Sequence, residues 1–267
     1  MPISGPDIVL YEKKDKIVTI TINRPERRNA ISLELAARLG EAWTKFRDDE
    51  DAWVAILTGA GDKAFCAGLD LIEQAGGDSG SERRGGARRG KMALPPCTPL
   101  DFDIWKPVIA AINGYAVAGG FLFAQHCDIR IAAEHAEFGI AETRWNMPAY
   151  WIVDLTRQIG LGHALEIALW GDGRMTAQRG YEIGWINRVV PQDKLMEEAF
   201  SWAERMLYLA PRCVRNLKEI LYRGFYLPPS EGLAFALALE QNLAGMEDTI
   251  EGPRAFAEKR KPTFKNR

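Results

Sequence analysis

A strand-like run that passes through glycines into a helix-like run, within KPVIAAINGYAVAGGFLFAQHCDIRIAAEHAEFGIAETRW at residues 106–145, constrains this chain most. Apolar residues 108–112 lead into an Asn113-Gly114 turn, then Ala118-Gly119-Gly120, then apolar residues 121–125. Glycines between a strand and a helix start leave main-chain N–H groups bare and aimed at whatever binds there. Downstream, Glu142 is a carboxylate among Gly139, Ile140 and Ala141. Bare N–H donors beside one carboxylate in apolar surroundings suit chemistry next to a carbonyl: the donors hold an oxyanion while the carboxylate moves a proton. Taken singly, each feature has a plainer reading, a common turn and a solvated glutamate. The segment AFCAGLDL at residues 64–71 adds weight, because it offers another glycine-bounded N–H, at Ala67, after a strand-like run at 54–58.

Five motifs in order carry a family resemblance: Asn23-Arg24-Pro25 with Asn29-Ala30, AFCAGLDL, NGYAVAGG, Cys127-Asp128-Ile129 with Phe138-Gly139, and the C-terminal FAEKRKP at 256–262. With them the chain resembles the crotonase superfamily, the enoyl-CoA hydratase and isomerase family, over nearly its whole length. The resemblance implies an α/β fold, a crotonase-like ββα spiral core at 1–195 that holds an acyl-CoA site. A C-terminal helical oligomerisation segment at 196–267 would form a trimer or a dimer of trimers and contribute part of the coenzyme A site. It also implies no prosthetic group, coenzyme A entering only as part of the thioester substrate.

Carried over motif by motif, the Ala67 and Gly119 N–H groups form an oxyanion hole for the thioester carbonyl. Losing one such donor costs about 3–4 kcal/mol of barrier. Family hydratases place one Glu three residues after the oxyanion-hole glycine and a second at the position of Glu142. Here the first position is Leu122, which cannot ionise. One remaining base suits a shuttle from C2 to C4, so the pairing resembles the Δ3,Δ2-enoyl-CoA isomerases. Enoyl-CoA hydration is the alternative. Trp145, Tyr150 and Trp151 stand where many hydratases carry a glycine-rich turn, and are expected to line the pocket and keep it dry, or to fill core. Burial of Glu142 would raise its pKa. Asp154 is a candidate second acid. At the nucleotide end, Arg27 and Arg28 are candidates for the phosphates of coenzyme A. Ala64, Asp70 and Leu71 border the adenine pocket in this reading, and Phe256 and Lys259 reach it across a subunit boundary.

Other classes remain open. Cys66, or Cys127 with His126, as nucleophile would mean thioester hydrolysis, although adjacent residues point apart. A binder without turnover is the other. The four cysteines lack CxxC spacing and the three histidines lack metal-ligand spacing, so neither a disulfide framework nor a metal is expected. A net charge of −2 gives no reason to expect nucleic acid or a membrane surface. No long apolar run or leader-like N-terminus is visible, which points to the cytoplasm. Residues 75–98, rich in Gly and Arg, read as a solvated loop or an adaptable wall over the acyl pocket. Hairpin strands at 8–11 and 17–22, a helix capped by Ser32 and, after residues 187–191, helices at 195–209, 214–222 and 230–243 complete the expectation, with Pro253 as a break.

Overall fold

A computed structural model describes residues 7–76, 94–147 and 149–267, and most of the glycine–arginine stretch, residues 77–93, lies outside the described residues. In chain order, β1 (Val9–Lys14), β2 (Ile17–Ile22) and α1 (Leu33–Asp48) precede three similar units. These are β3 (Val54–Gly59), β4 (Ala64–Cys66) and α2 (Leu71–Gly76); β5 (Val108–Ile112), β6 (Tyr115–Val117) and α3 (Gly119–Gln125); and β7 (Ile129–Ala133), β8 (Glu137–Gly139) and α4 (Glu142–Trp145). After them come α5 (Leu155–Gln158), α6 (Leu161–Leu169), β9 (Met175–Thr176), α7 (Ala177–Glu182) and β10 (Arg188–Val190). The chain closes with α8 (Leu195–Met206), α9 (Pro211–Gly224), α10 (Pro229–Glu240) and α11 (Glu247–Ala257).

In each unit the first strand enters a large sheet of order β1-β2-β3-β5-β7-β10, parallel except for the β1–β2 hairpin. The second strand enters a small sheet of order β4-β6-β8-β9. The ββα spiral that the family resemblance implied is therefore present, although only its long strands show as periodic runs in the sequence. Three-residue strands are too short to display a period.

The large sheet is buried on both faces, which is why its strands read as near-continuous apolar runs. Val18, Ile20, Leu57, Ala110 and Ile112 pack into one cluster with α1, α3 and the small sheet. Their neighbours Ile17, Val54, Ile56, Ile109, Ala111 and Ile131 pack into another with Leu195, Ala199 and Ala203 of α8. Helix α8 is thus part of the core layer, and the division expected at residue 195 falls at its first turn. Helix α1 starts where the sequence placed it, with the Ser32 Oγ accepting from the Leu35 N–H at 3.0 Å. Pro253 does not interrupt a helix: it lies inside α11. That helix is held from outside, by Asp248 accepting from the N–H groups of Lys265 and Asn266 and by Glu251 paired with Arg260.

The Cys127-Asp128-Ile129-Arg130 motif is a joint. Arg130 is 7% exposed, and its guanidinium donates to the carbonyls of Trp185 and Cys127, tying α3 to β10's approach. Asp128 accepts from the Val108 N–H at 2.7 Å, the Lys218 ammonium at 2.8 Å and the Tyr222 hydroxyl at 3.1 Å. It therefore bolts α9 onto the start of β5. Asp128→Ala would leave the 7%-exposed Lys218 side chain with an uncompensated charge, so it is expected to cost about 3–5 kcal/mol. Urea midpoints of the two proteins measure this, and a change under about 1 kcal/mol would show that the pair carries little.

Candidate active site

The three units end in register, so their strand exits meet. Cys66 of β4 pairs with Ala116 of β6, and Val117 pairs with Gly139 of β8. The next residues are Ala67, Ala118-Gly119 and, two residues beyond Ile140, Glu142. Each strand exit thus delivers one candidate group to the same end of the small sheet. Two glycines allow the approach. A Cβ on Gly120 would stand 1.9 Å from the Cys66 carbonyl oxygen, inside its van der Waals surface. Gly68, at φ +87°, lies so close to the next unit that a Cβ would be 2.9 Å from the Ala118 Cβ and 3.4 Å from the Gly119 nitrogen.

The Gly119 N–H is the first of α3, where no carbonyl of the helix itself can reach it. Ala118 before it holds φ 54°, ψ −120°, a conformation L-residues rarely adopt, and donates its own N–H to the Gly139 carbonyl at 2.8 Å. The Ala67 N–H is not bare as the sequence reading expected: it donates to the Arg28 carbonyl at 3.1 Å. The cause is the Asn23–Asn29 turn. Asn29 is fully buried, accepts from the Arg24 N–H and donates to the Ala60 and Ala64 carbonyls, which lays residues 28–31 alongside 67–70. Arg28 and Asn29 both take left-handed φ, 51° and 57°, to make that turn.

Glu142 opens α4 and is 8% exposed. Burial raises its carboxyl above the usual carboxylate range, opposed by its own N–H and that of Ala141, which donate to the charged form. Among the described residues no other ionisable group contributes to this shift. Its Oε2 is buried without a hydrogen-bond partner among the described residues. Leu122, one turn into α3, is partly buried against the core. Asp154 is not a second acid beside Glu142: its carboxylate is held by Arg157 and the Tyr226 hydroxyl, both at 2.5 Å, at the surface.

The aromatic residues separate. Trp151 is 9% exposed and packs with Phe121, ring centroids 6.1 Å apart, and its carbonyl accepts from Gln125 at 3.1 Å. Trp145 and Tyr150 are 55% and 83% exposed, so in this chain they do not enclose a pocket. The reason is local: α4 is a single turn closed by Asn146 at φ 52°, and the following 3-10 turn, Tyr150–Asp154, has room to bury only Trp151.

Of the nucleotide-end candidates, Ala64 is interior, its carbonyl tied to Asn29. Asp70 is buried, pairs with Arg24 at 3.2 Å and caps α2 by accepting from the Glu73 N–H. Arg27 and Arg28 are exposed, and Leu71 lies at the surface. Phe256 is 86% exposed and Lys259 also faces solvent. Phe256 lies in the last turn of α11 and Lys259 just after it, and the tail beyond packs on Lys16 and Trp53, at the strand starts and away from the exits. Sequence reasoning missed Arg174. It lies over Gly139 and lines, with Arg28, Ala67, Tyr115, Glu137 and Asp172, a cavity of about 460 Å³. Nothing in its local sequence marks it, because it arrives through the β8–β9 pairing.

The cysteine alternative finds no support. Cys66 is fully buried and burial pushes its thiol up to about 12, so no thiolate forms near neutral pH. Cys127 is buried with its thiol donating to the Phe123 carbonyl, while the His126 ring faces the Thr98 hydroxyl at 2.9 Å. Among the described residues no helix is long and apolar enough to cross a membrane.

Comparison with known proteins matches residues 12–267 to the enoyl-CoA hydratase/isomerase family. An (E)-benzylidenesuccinyl-CoA hydratase of Thauera aromatica is 35% identical, over 96% of this chain and 98% of the relative. A carnitinyl-CoA dehydratase of Salmonella heidelberg is 37% identical, over 94% and 95%. A solved enoyl-CoA hydratase/isomerase from Mycobacterium paratuberculosis superposes with a TM-score of 0.87 at 33% identity, covering 98% of this chain and 99% of that one. An enoyl-CoA hydratase from Bacillus anthracis gives 0.86 at 33%, over 97% and 100%. The curated relatives are thus named for water addition or removal, which reverses the order in which the sequence alone placed isomerisation and hydration. The chain is an enzyme of the crotonase superfamily and belongs to the enoyl-CoA hydratase/isomerase family.

Proposed function

We propose that this enzyme adds water to, or removes it from, the C2–C3 bond of an acyl-CoA thioester, with Glu142 as its single working carboxylate. The observation that carries the reading is the buried, unpartnered Oε2 of Glu142 on the unit that follows the Gly119 N–H. In the hydration direction Glu142 takes a proton from water as the oxygen attacks C3. Electrons move through the double bond to the thioester oxygen, where the Gly119 N–H receives the growing charge. The Ala67 N–H joins when the thioester oxygen shares it with, or takes it from, the Arg28 carbonyl. Collapse of the enolate then takes the proton back from Glu142 to C2. One carboxylate thus serves as base and acid in turn, and Leu122 need not ionise. The named hydratase and dehydratase relatives support this reading over a C2-to-C4 shuttle.

Isomerisation of a 3-enoyl to a 2-enoyl thioester stays as the second reading, favoured by the apolar Leu122. The nucleotide end of the substrate is assigned to the exposed Arg27 and Arg28, with Leu71 and the Asp70 backbone nearby. Phe256 and Lys259 of a neighbouring copy complete it, because within one chain they lie at the far end of the sheet. The same reading takes the exposed Leu217, Leu221, Leu233 and Leu237 of α9 and α10 as surfaces covered in a trimer or a dimer of trimers.

Assaying crotonyl-CoA and 3-hexenoyl-CoA side by side tests the order of the two readings. Crotonyl-CoA is expected to be hydrated faster, and turnover of 3-hexenoyl-CoA alone would give the case to isomerisation. Glu142→Gln is expected to lower kcat by about 10²–10⁴-fold with acyl-CoA affinity little changed. A wild-type rate in that variant would remove Glu142 from the mechanism. The pH profile follows from the raised carboxyl: kcat/KM should fall on acidification through an apparent pKa above that of an ordinary glutamate, and this limb should vanish in Glu142→Gln. The same shift has a stability sign. A carboxyl raised on folding contributes stability below its unfolded pKa, and that contribution is lost as pH rises through the folded pKa. At neutral pH Glu142→Gln should therefore melt no lower than wild type, and a lower Tm would mean that the ionised carboxylate stabilises the fold.

A further inference from the structure

At the other end of the large sheet from the strand exits, a cavity of about 180 Å³ lies between the C-terminus of α1, the approach to β5, and helices α9 and α10. Arg47, Lys106, Arg212 and Arg215 line it together with Asp103 and Glu219. The two acids are already engaged, since Arg223 binds Asp103 at 3.3 Å and Glu219 at 2.5 Å. Arg47 is paired with its neighbour Asp48 at 2.7 Å. Three cations remain around the space, and they are poorly compensated. Lys106 is 4% exposed and donates to the carbonyls of Phe46 and Asp49 at 2.7 Å, neither of which is charged. The Arg215 side chain is 11% exposed, and its only carboxylate contact among the described residues is Glu50 at 3.4 Å through Nη1. The Arg215 Nη2 is buried with no hydrogen-bond partner among the described residues. Arg212 makes no ion pair within 4.0 Å among the described residues.

A buried cation is costly unless paired, so the buried Lys106, the nearly buried Arg215 and the partly buried Arg212 around one small cavity call for an anion. Burial, then the Arg215 guanidinium, holds the Lys106 ammonium down at about 8 against the opposing charges of Glu50, Asp49 and Asp48. Burial also lowers Arg215, opposed by Glu50, with Arg212 adding repulsion. We propose that this cavity is an anion site that takes a phosphate group, either free phosphate or the monoester of a small molecule. Guanidinium forks supply paired donors to tetrahedral oxyanions and an ammonium adds a point charge. Three cations around a volume of this size match the double charge of phosphate better than the single charge of a carboxylate. The site does not rest on the acyl-CoA chemistry, because it shares no residue with Ala67, Gly119 or Glu142 and lies where the strands begin.

Calorimetric titration of the full-length enzyme with inorganic phosphate, against chloride at matched ionic strength, tests the proposal. Glycerol 3-phosphate, which carries no adenine for the proposed coenzyme A site to hold, serves as the monoester arm. Saturable binding is expected in wild type, weakened about tenfold or more in Arg215→Met and in Arg212→Gln, with crotonyl-CoA turnover unchanged in both. Tighter binding of the monoester would assign the phosphate to a small-molecule monoester, and equal affinity would assign it to free phosphate. Should Arg215→Met fail to fold, Arg212→Gln carries the comparison. No saturable binding of either probe in wild type, or undiminished binding in the folded variants, overturns the assignment.

Discussion

The contact between Gly120 and the Cys66 carbonyl sets the geometry on which the site depends. No side chain fits there, since even a methyl would stand 1.9 Å from that oxygen. Because the second unit can press against the first, β4, β6 and β8 lie side by side, and their exits present Ala67, Gly119 and Glu142 along one edge. The long strands supply the rigidity. They are fixed by burial on both faces, so the register of the short strands follows from them and not from their own three residues.

Polar groups divide sharply around that edge. Asn29 uses both ends of its amide, Asp70 pairs and caps, and Asn113 donates to the Gly61 carbonyl. These are fully satisfied buried groups, which stabilise and specify a fold. Glu142 differs, because burial raises its carboxyl and one oxygen has no partner among the described residues. An unsatisfied buried carboxylate destabilises the folded chain, and such a cost is a mark of function more than of architecture. The Arg28 carbonyl at the Ala67 N–H belongs to the same balance. A donor that is occupied in the free enzyme and that the proposed thioester contact needs would make binding competitive with a local turn.

Much of this was legible because apolar runs bounded by turns identify buried strands. Residues 54–58 and 108–112 needed no more than that, and Ser32 announced a helix by its capping chemistry. Gly119 and Glu142 stood out through the chemistry of bare N–H groups and a carboxylate in apolar surroundings. What escaped depends on partners distant in sequence. The three-residue strands exist only by pairing, Arg174 reaches the cavity only across β8–β9, and the Arg28 carbonyl meets Ala67 only because Asn29 folds the turn. Trp145 and Tyr150 looked like pocket walls by position, but one short helical turn and its left-handed cap send them outward. Isomerisation came first in the sequence reading because Leu122 was weighed as a missing acid, whereas the named relatives favour hydration. A single carboxylate can act twice.

The most direct measurement is a crystal structure with an unreactive acyl-CoA thioester bound. The account predicts the thioester oxygen about 2.7–3.1 Å from the Gly119 nitrogen, the Glu142 carboxylate facing C2 and C3, and the Ala67 N–H drawn from the Arg28 carbonyl toward the ligand. An acyl group seated away from the ends of β4 and β6, or a Glu142 side chain facing away from C2, would contradict it.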